Sequence, residues 1–299
     1  MYEKFYGFKE KPFSVTPDTH FFYCSEKHDE ALNSLVYAVE DRKGFAVITG
    51  EIGSGKTTVW HKLLTYLDGT TKVATITNSH LTPKQMLISI LEEFGIEHED
   101  TSSKVKLLNK LYQYLLEQIT AGFNVVLIID EAQNLTFSVL EEVRMISNLE
   151  TEKEKLIQII LMGQPSLKEK LALPKLEQLR QRIAVYYHLN HLTRSETSGY
   201  IRHRLQVAGG NGTIIFDSPT LEAIYTHSNG VPRRINTLCD RALLTAFTLE
   251  QKSVSPDIIN EASIELNVLH DSPRHCEERA APRHCEERSD EAISKHGGN

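Results

Sequence analysis

The run Gly50-Glu51-Ile52-Gly53-Ser54-Gly55-Lys56-Thr57-Thr58 constrains this chain more than any other stretch. Ahead of it stands Phe45-Ala46-Val47-Ile48-Thr49, a short apolar run rich in β-formers that reads as a buried strand. Behind it a helical stretch runs through Leu67. Gly50 to Thr57 meets the spacing G-x-x-x-x-G-K-[ST] in full, in the strand-then-helix setting that gives the spacing its meaning. Glycines let backbone N–H groups curl around phosphate oxygens, and a helix N-terminus adds a favourable dipole. Lys56 would neutralise β- and γ-phosphates, and the Thr57 hydroxyl would ligate Mg2+. Glu51, Ile52, Ser54 and Thr58 complete the loop that would wrap the nucleotide. The competing reading is an ordinary glycine-rich turn, and the flanking strand and helix argue against it.

A second strand end carries acids. Val125-Val126-Leu127-Ile128-Ile129 is followed by Asp130 and Glu131, which delivers two carboxylates at one point. Half-buried strands often end in a solvated acid pair, but downstream of a phosphate loop the pair has a task. Asp130 would hold Mg2+ through water, and Glu131 would orient and deprotonate an attacking water. An acid beside the magnesium ligand favours hydrolysis over simple binding. Gln164 follows another apolar run, Ile159-Ile160-Leu161-Met162-Gly163, and could reach a γ-phosphate from there; a bare Gln before Pro165 also suits a turn.

Arginine is unevenly spread: of ten in residues 1–267, eight lie between Arg180 and Arg241. Solvated helix faces account for most such clusters. Arg180 and Arg182, however, precede a strand where a neighbouring subunit's nucleotide would be met, and Arg233 opens a helix that would fold over the phosphates. Arginine suits the charge that spreads over a transferring phosphoryl group.

The rest of the pattern places these motifs. Amphipathic helices are expected at His28–Arg42, with Ser25 as a possible cap, and at Lys104–Ile119. Thr82-Pro83-Lys84-Gln85 and Thr193-Arg194-Ser195-Glu196 read as capping boxes that open two more. Strands are expected at 72–77, 124–129, 156–162 and 184–189 besides the first. Alternation of strand and helix to residue 190 predicts an α/β parallel sheet with helices on both faces, a P-loop nucleoside-triphosphatase fold. From 191 to 267 only helices are expected, as a small separate lid, with a Gly209–Gly212 loop and helices opening at Ser218, Pro232 and Ser255.

Residues 268–299 differ in kind. The nine residues Ser272-Pro-Arg-His-Cys-Glu-Glu-Arg-Ala280 are nearly repeated from Ala281 to Ser289, which predicts a disordered, low-complexity tail. His275, Cys276, His284 and Cys285 could suggest a metal site, but adjacent ligands on one chain seldom converge on one ion. Four cysteines make no disulfide framework, which suits a reducing compartment. The N-terminus shows no signal-peptide pattern, and the longest apolar run, Val125 to Ile129, is far short of the ~20 residues of a membrane helix. With 33 basic and 40 acidic side chains the net charge is −7, so a wide nucleic-acid footprint is not expected.

At these residues the chain resembles the AAA+ ATPases, with Gln164 in the sensor 1 position and Gly230-Val231-Pro232-Arg233 as sensor 2. Its opening Phe5-Tyr6-Gly7-Phe8-Lys9-Glu10-Lys11-Pro12-Phe13, then Pro17-Asp18, Phe21, Ser25, His28 and Glu30-Ala31-Leu32, is similar to the signature of the general secretion pathway protein A type. The related MSHA pilus biogenesis ATPases share that signature. Gly163-Gln164-Pro165 and Leu179-Arg180-Gln181-Arg182-Ile183 resemble later motifs of the same group. The resemblance, over residues 1–267, implies ATP and Mg2+ as ligands, self-association into a ring or other oligomer, and Arg180 or Arg182 acting in trans. It also implies that the Pro12–Pro17 segment lines the adenine pocket. Hydrolysis would energise assembly of a type II secretion or type IV/MSHA pilus complex, from the cytoplasm or the periphery of the inner membrane. Secretion members of the group continue into a transmembrane helix and a peptidoglycan-binding domain, which this sequence does not show. The alternative is an ATP-switched DNA-binding protein of transposition or replication-initiator type; the charge of residues 1–267 and the lack of a terminal basic helix-turn-helix speak against it.

Overall fold

The computed structural model describes residues 1–16, 18–67, 69–99, 103–152, 154–210 and 215–270, with 267–270 as backbone alone. Pro17, the end of the Gly209–Gly212 loop and the repeat-bearing tail with its His-Cys pairs lie outside the described residues.

In chain order the elements are α1 (Tyr2–Tyr6), α2 (Glu26–Glu40), β1 (Phe45–Gly50), α3 (Lys56–Tyr66), β2 (Thr71–Ile76) and α4 (Pro83–Glu93). Next come α5 (Lys104–Thr120), β3 (Asn124–Ile129), α6 (Phe137–Ile146), β4 (Gln158–Gly163), α7 (Pro165–Leu171), α8 (Glu177–Arg180) and β5 (Val185–Leu189). Four helices finish the described chain: α9 (Arg194–Val207), α10 (Ser218–Ser228), α11 (Pro232–Thr248) and α12 (Pro256–His270). Every strand pairing is parallel, in the order β2-β3-β4-β1-β5.

Local chemistry accounts for the boundaries. Ser25 caps α2 by accepting from the His28 N–H, and Thr82 and Thr193 close their capping boxes with Gln85 and Glu196. Helix α6, not anticipated from sequence, is capped by Thr136 and buries Val139, Leu140, Val143 and Ile146 at helical spacing. Strand β4 starts later than the expected Leu156, because the Leu156 N–H already donates to the Leu149 carbonyl at 3.0 Å in a small hairpin. Helix α12 runs on to His270, past the expected end at 267.

The two sheet faces sort by alternation. Phe45, Val47, Val125, Leu127, Ile129, Ile159 and Leu161 pack with α4, α5, α6 and α7, while Ala46, Ile48, Val126, Ile128, Ile160 and Met162 pack with α2 and α3. Strands buried on both sides need such continuous apolar runs. A third core joins α9 to α12, and the aromatic beginning of the chain belongs to it: Tyr2, Tyr6, Phe8, Phe13 and Phe21 pack against Ile201, Ile224, Leu238 and Leu243. The sequence reading put residues 1–190 in one unit. Both sheet faces are already covered by helices, so these aromatics find apolar area on the C-terminal helices instead.

Candidate active site

Parallel sheets open their binding crevices at the C-terminal ends of strands, where neighbouring connections diverge. Strand β1 runs between β4 and β5, and the glycine loop leaves its end. Gly53 and Gly55 hold φ of +78° and +100°, in the left-handed region that a side chain disfavours. Space enforces the same choice: a Cβ on Gly53 would lie 2.5 Å from the Arg233 Cβ, and one on Gly55 2.8 Å from His28 Nε2. Gly55 is the N-cap of α3, so free N–H groups at that helix end face the cleft.

Lys56 is buried, and its Nζ donates to the carbonyls of Gly50 (2.8 Å) and Glu51 (3.0 Å). Burial pushes its pKa down, opposed by the Glu131 and Asp130 carboxylates that favour its charge. His28 supports the loop from beneath. Its Nε2 lies 3.2 Å from the Ser54 carbonyl and must donate, so a neutral ring accepts at Nδ1 from Ser25 Oγ at 2.7 Å. Burial lowers the His28 pKa.

The carboxylates arrive from β3. Asp130 Oδ1 accepts from the Glu131 N–H at 2.8 Å; burial raises the Asp130 pKa, with that N–H and Lys56 pulling the other way. Glu131 takes a left-handed backbone, φ +49°, at the turn that starts Ala132–Asn134. Its Oε2 accepts from Gln133 Nε2 at 2.6 Å and from Gln164 Nε2 at 3.3 Å. Gln164 is the N-cap residue of α7, at the end of β4, so strand order alone brings it to Glu131.

The helical unit closes the cleft. Arg233 sits in the first turn of α11, and its N–H donates to the Gly53 carbonyl at 3.3 Å. A cleft of about 370 Å³ is lined by Gly53, Gly55, Lys56, Thr57, Thr58, Glu131 and Arg233, with Val15, Thr16, Tyr200 and Asn236 on its far wall. Arg180 and Arg182 stand apart from it. Arg180 is exposed and donates to the Ala172 carbonyl at 3.2 Å, and half-buried Arg182 reaches Ser147 Oγ at 3.5 Å.

Sequence reasoning missed three residues. Gln133 could have been noticed as the polar member of Asp130-Glu131-Ala132-Gln133, straight after the acid pair. His28 was named without a role. Arg204 gave no local signal, yet it is buried and donates to the carbonyls of Pro12 (2.5 Å) and Ser14 (3.3 Å).

Residues 39–171 match the model of an AAA domain. Over 271 residues, 91% of this chain, the sequence is 41% identical to general secretion pathway protein A of Aeromonas hydrophila. The chain carries an AAA domain and is related, over most of its own length, to general secretion pathway protein A. It spans about half of that relative, 49% of its length. Among solved structures it resembles Cdc6p from Pyrobaculum aerophilum, with TM-score 0.65 and 18% identity over 86% of this chain and 75% of the other. It also resembles the Thermotoga maritima RuvB Holliday junction branch migration motor, with TM-score 0.56 and 20% identity over 87% and 74%. At such identities these likenesses speak for the fold. Among the described residues no helix is long and apolar enough to cross a membrane.

Proposed function

We propose that this chain is an ATPase that hydrolyses ATP with Mg2+ at the cleft between sheet and helical unit, and that its turnover serves assembly of a secretion or pilus complex at the inner membrane. One observation carries the chemical part: the glycine loop, Glu131 and Arg233 line the same cleft. Lys56 exchanges its bonds to the Gly50 and Glu51 carbonyls for phosphate oxygens. Thr57, through its hydroxyl, and Asp130, through water, would hold Mg2+, for which hard oxygen donors are suited. When bound there, the ion would supply charge neutralisation to the phosphates.

Glu131 orients water. The water oxygen bonds to the γ-phosphorus, the bond to the bridging oxygen breaks to leave ADP, and the water's proton passes to the carboxylate. Gln164 and Arg233 bear on the γ-phosphoryl group from the sheet and from the helical unit. Arg180 or Arg182, both held away from their own cleft, serves a neighbour's in a ring or other oligomer. The assembly role rests on the printed name of the 41%-identical relative, of which this chain spans 49%.

The test measures ATP affinity and turnover. Lys56→Ala should lose ATP binding, and normal affinity would remove the loop from the site. Glu131→Gln should bind ATP and stall, and undiminished turnover would name another base. Turnover raised by DNA, with an affinity that barely falls with salt, would move the reading to a DNA-switched ATPase.

A further inference from the structure

Gln133 makes a bridge that the hydrolytic scheme does not use. Its side-chain Nε2 donates to Glu131 Oε2 at 2.6 Å, and its Oε1 accepts from the Gln164 backbone N–H at 3.0 Å. The same Oε2 takes the Gln164 side chain at 3.3 Å, so Glu131, Gln133 and Gln164 form a closed ring of three hydrogen bonds. An amide is the group that fits, because one end must donate and the other accept.

The surroundings are built around this side chain. A Cβ on Gly163 would lie 2.7 Å from Gln133 Oε1, so a side chain there would displace the amide from this pose. Lys170 Nζ donates to the carbonyls of Gln133 (2.7 Å) and Leu135 (2.5 Å), which ties the turn's backbone to α7. Burial lowers the Lys170 pKa. The ring occupies one carboxylate oxygen of Glu131 twice over, and among the described residues no hydrogen bond reaches its Oε1.

We propose that Gln133 is a positioning residue for hydrolysis: it fixes the Glu131 carboxylate by one oxygen, leaves the other to face water, and links that pose to Gln164. Any shift of Gln164 toward a γ-phosphate then pulls on the base through two bonds. The inference rests on Glu131 being the base.

The full chain is compared with Glu131→Gln, Gln133→Met and Gln133→Glu. Three quantities are read: ATP turnover with Mg2+, affinity for a non-hydrolysable ATP analogue, and hydrogen exchange of the Gln164 amide without nucleotide. In Gln133→Met, turnover should fall about tenfold or more, as for the loss of a group that orients a reacting one. Analogue affinity should stay within about threefold, and Gln164 exchange should quicken about tenfold or more. Gln133→Glu separates the two ends. Ionised, it cannot donate to Glu131 but still accepts from Gln164, so turnover should fall while the amide stays protected.

Unchanged turnover in both Gln133 variants, with Glu131→Gln inactive, overturns the positioning role and leaves Glu131 as base. Turnover that survives Glu131→Gln overturns the base and this inference with it. Unchanged Gln164 exchange in Gln133→Met removes the bridge itself, whatever the turnover. Analogue affinity lost in step with turnover makes Gln133 a packing residue and also overturns the proposal.

Discussion

Gly55 holds φ +100° with His28 Nε2 2.8 Å from where a Cβ would stand, so conformation and space both demand glycine there. Gly55→Ala should destabilise by about 1–3 kcal/mol and weaken ATP binding at least about tenfold, read by urea denaturation and by titration. His28 is linked to pH through its burial. Its folded pKa is lowered, so below about 6.5, the ordinary value, the unfolded chain binds the proton that the folded chain refuses. Stability should therefore fall as pH drops from about 6.5, until the folded form also takes the proton. His28→Gln should flatten that part of the melting profile, and an unchanged slope would place the linked proton elsewhere.

Among the elements, α9 and α11 decide how the nucleotide cleft is walled. Arg204 on α9 holds the Pro12 and Ser14 carbonyls, stacks over Phe21 at 4.7 Å and bonds Tyr200 at 2.9 Å; Asn236 on α11 also reaches the Ser14 carbonyl at 3.3 Å. The segment before Val15 is thus strapped to the helical unit, though it precedes the sheet in sequence. Arg204→Met should cost about 2–4 kcal/mol, since two carbonyls lose a charged donor, and should weaken ATP binding more than turnover per bound ATP. Gly230, φ +71°, seats the α10–α11 junction on the connector after β5; any Cβ there would overlap the Leu192 carbonyl oxygen. Much of this element layer was legible. Capping boxes at Thr82 and Thr193, and the apolar run ending in Asp130, announce themselves over four to seven residues. Helix α8 and the strap were not, because a four-residue helix has no period and Arg204 is 190 residues or more from the carbonyls it holds.

For the whole molecule, the aromatic beginning completes the helical core. Phe13 is 1% exposed and meets Phe216 edge-on, with ring centres 6.1 Å apart. Phe13→Ala should cost about 3–5 kcal/mol, and limited proteolysis should then cut α9 to α12 before the sheet. Shared sites between subunits would make turnover per subunit climb with protein concentration. Arg180→Ala or Arg182→Ala should lose turnover more than binding, and one of them should regain activity when mixed with Lys56→Ala. A rate independent of concentration, with no recovery in mixtures, would place all the chemistry within one subunit.

Local sequence was enough for the glycine loop, the acid pair after its strand, the capped helices and the alternation that makes a parallel sheet. Each depends on neighbours within a few residues, where spacing and side-chain chemistry suffice. That β4 lies between β3 and β1, setting Gln164 against Glu131, came from long-range packing. The same holds for Arg233 over Gly53, for the N-terminal aromatics on the C-terminal helices, and for Gln133 between Glu131 and Gln164. These contacts join residues far apart along the chain, and they form because packed cores bring strand ends and helix ends to one place.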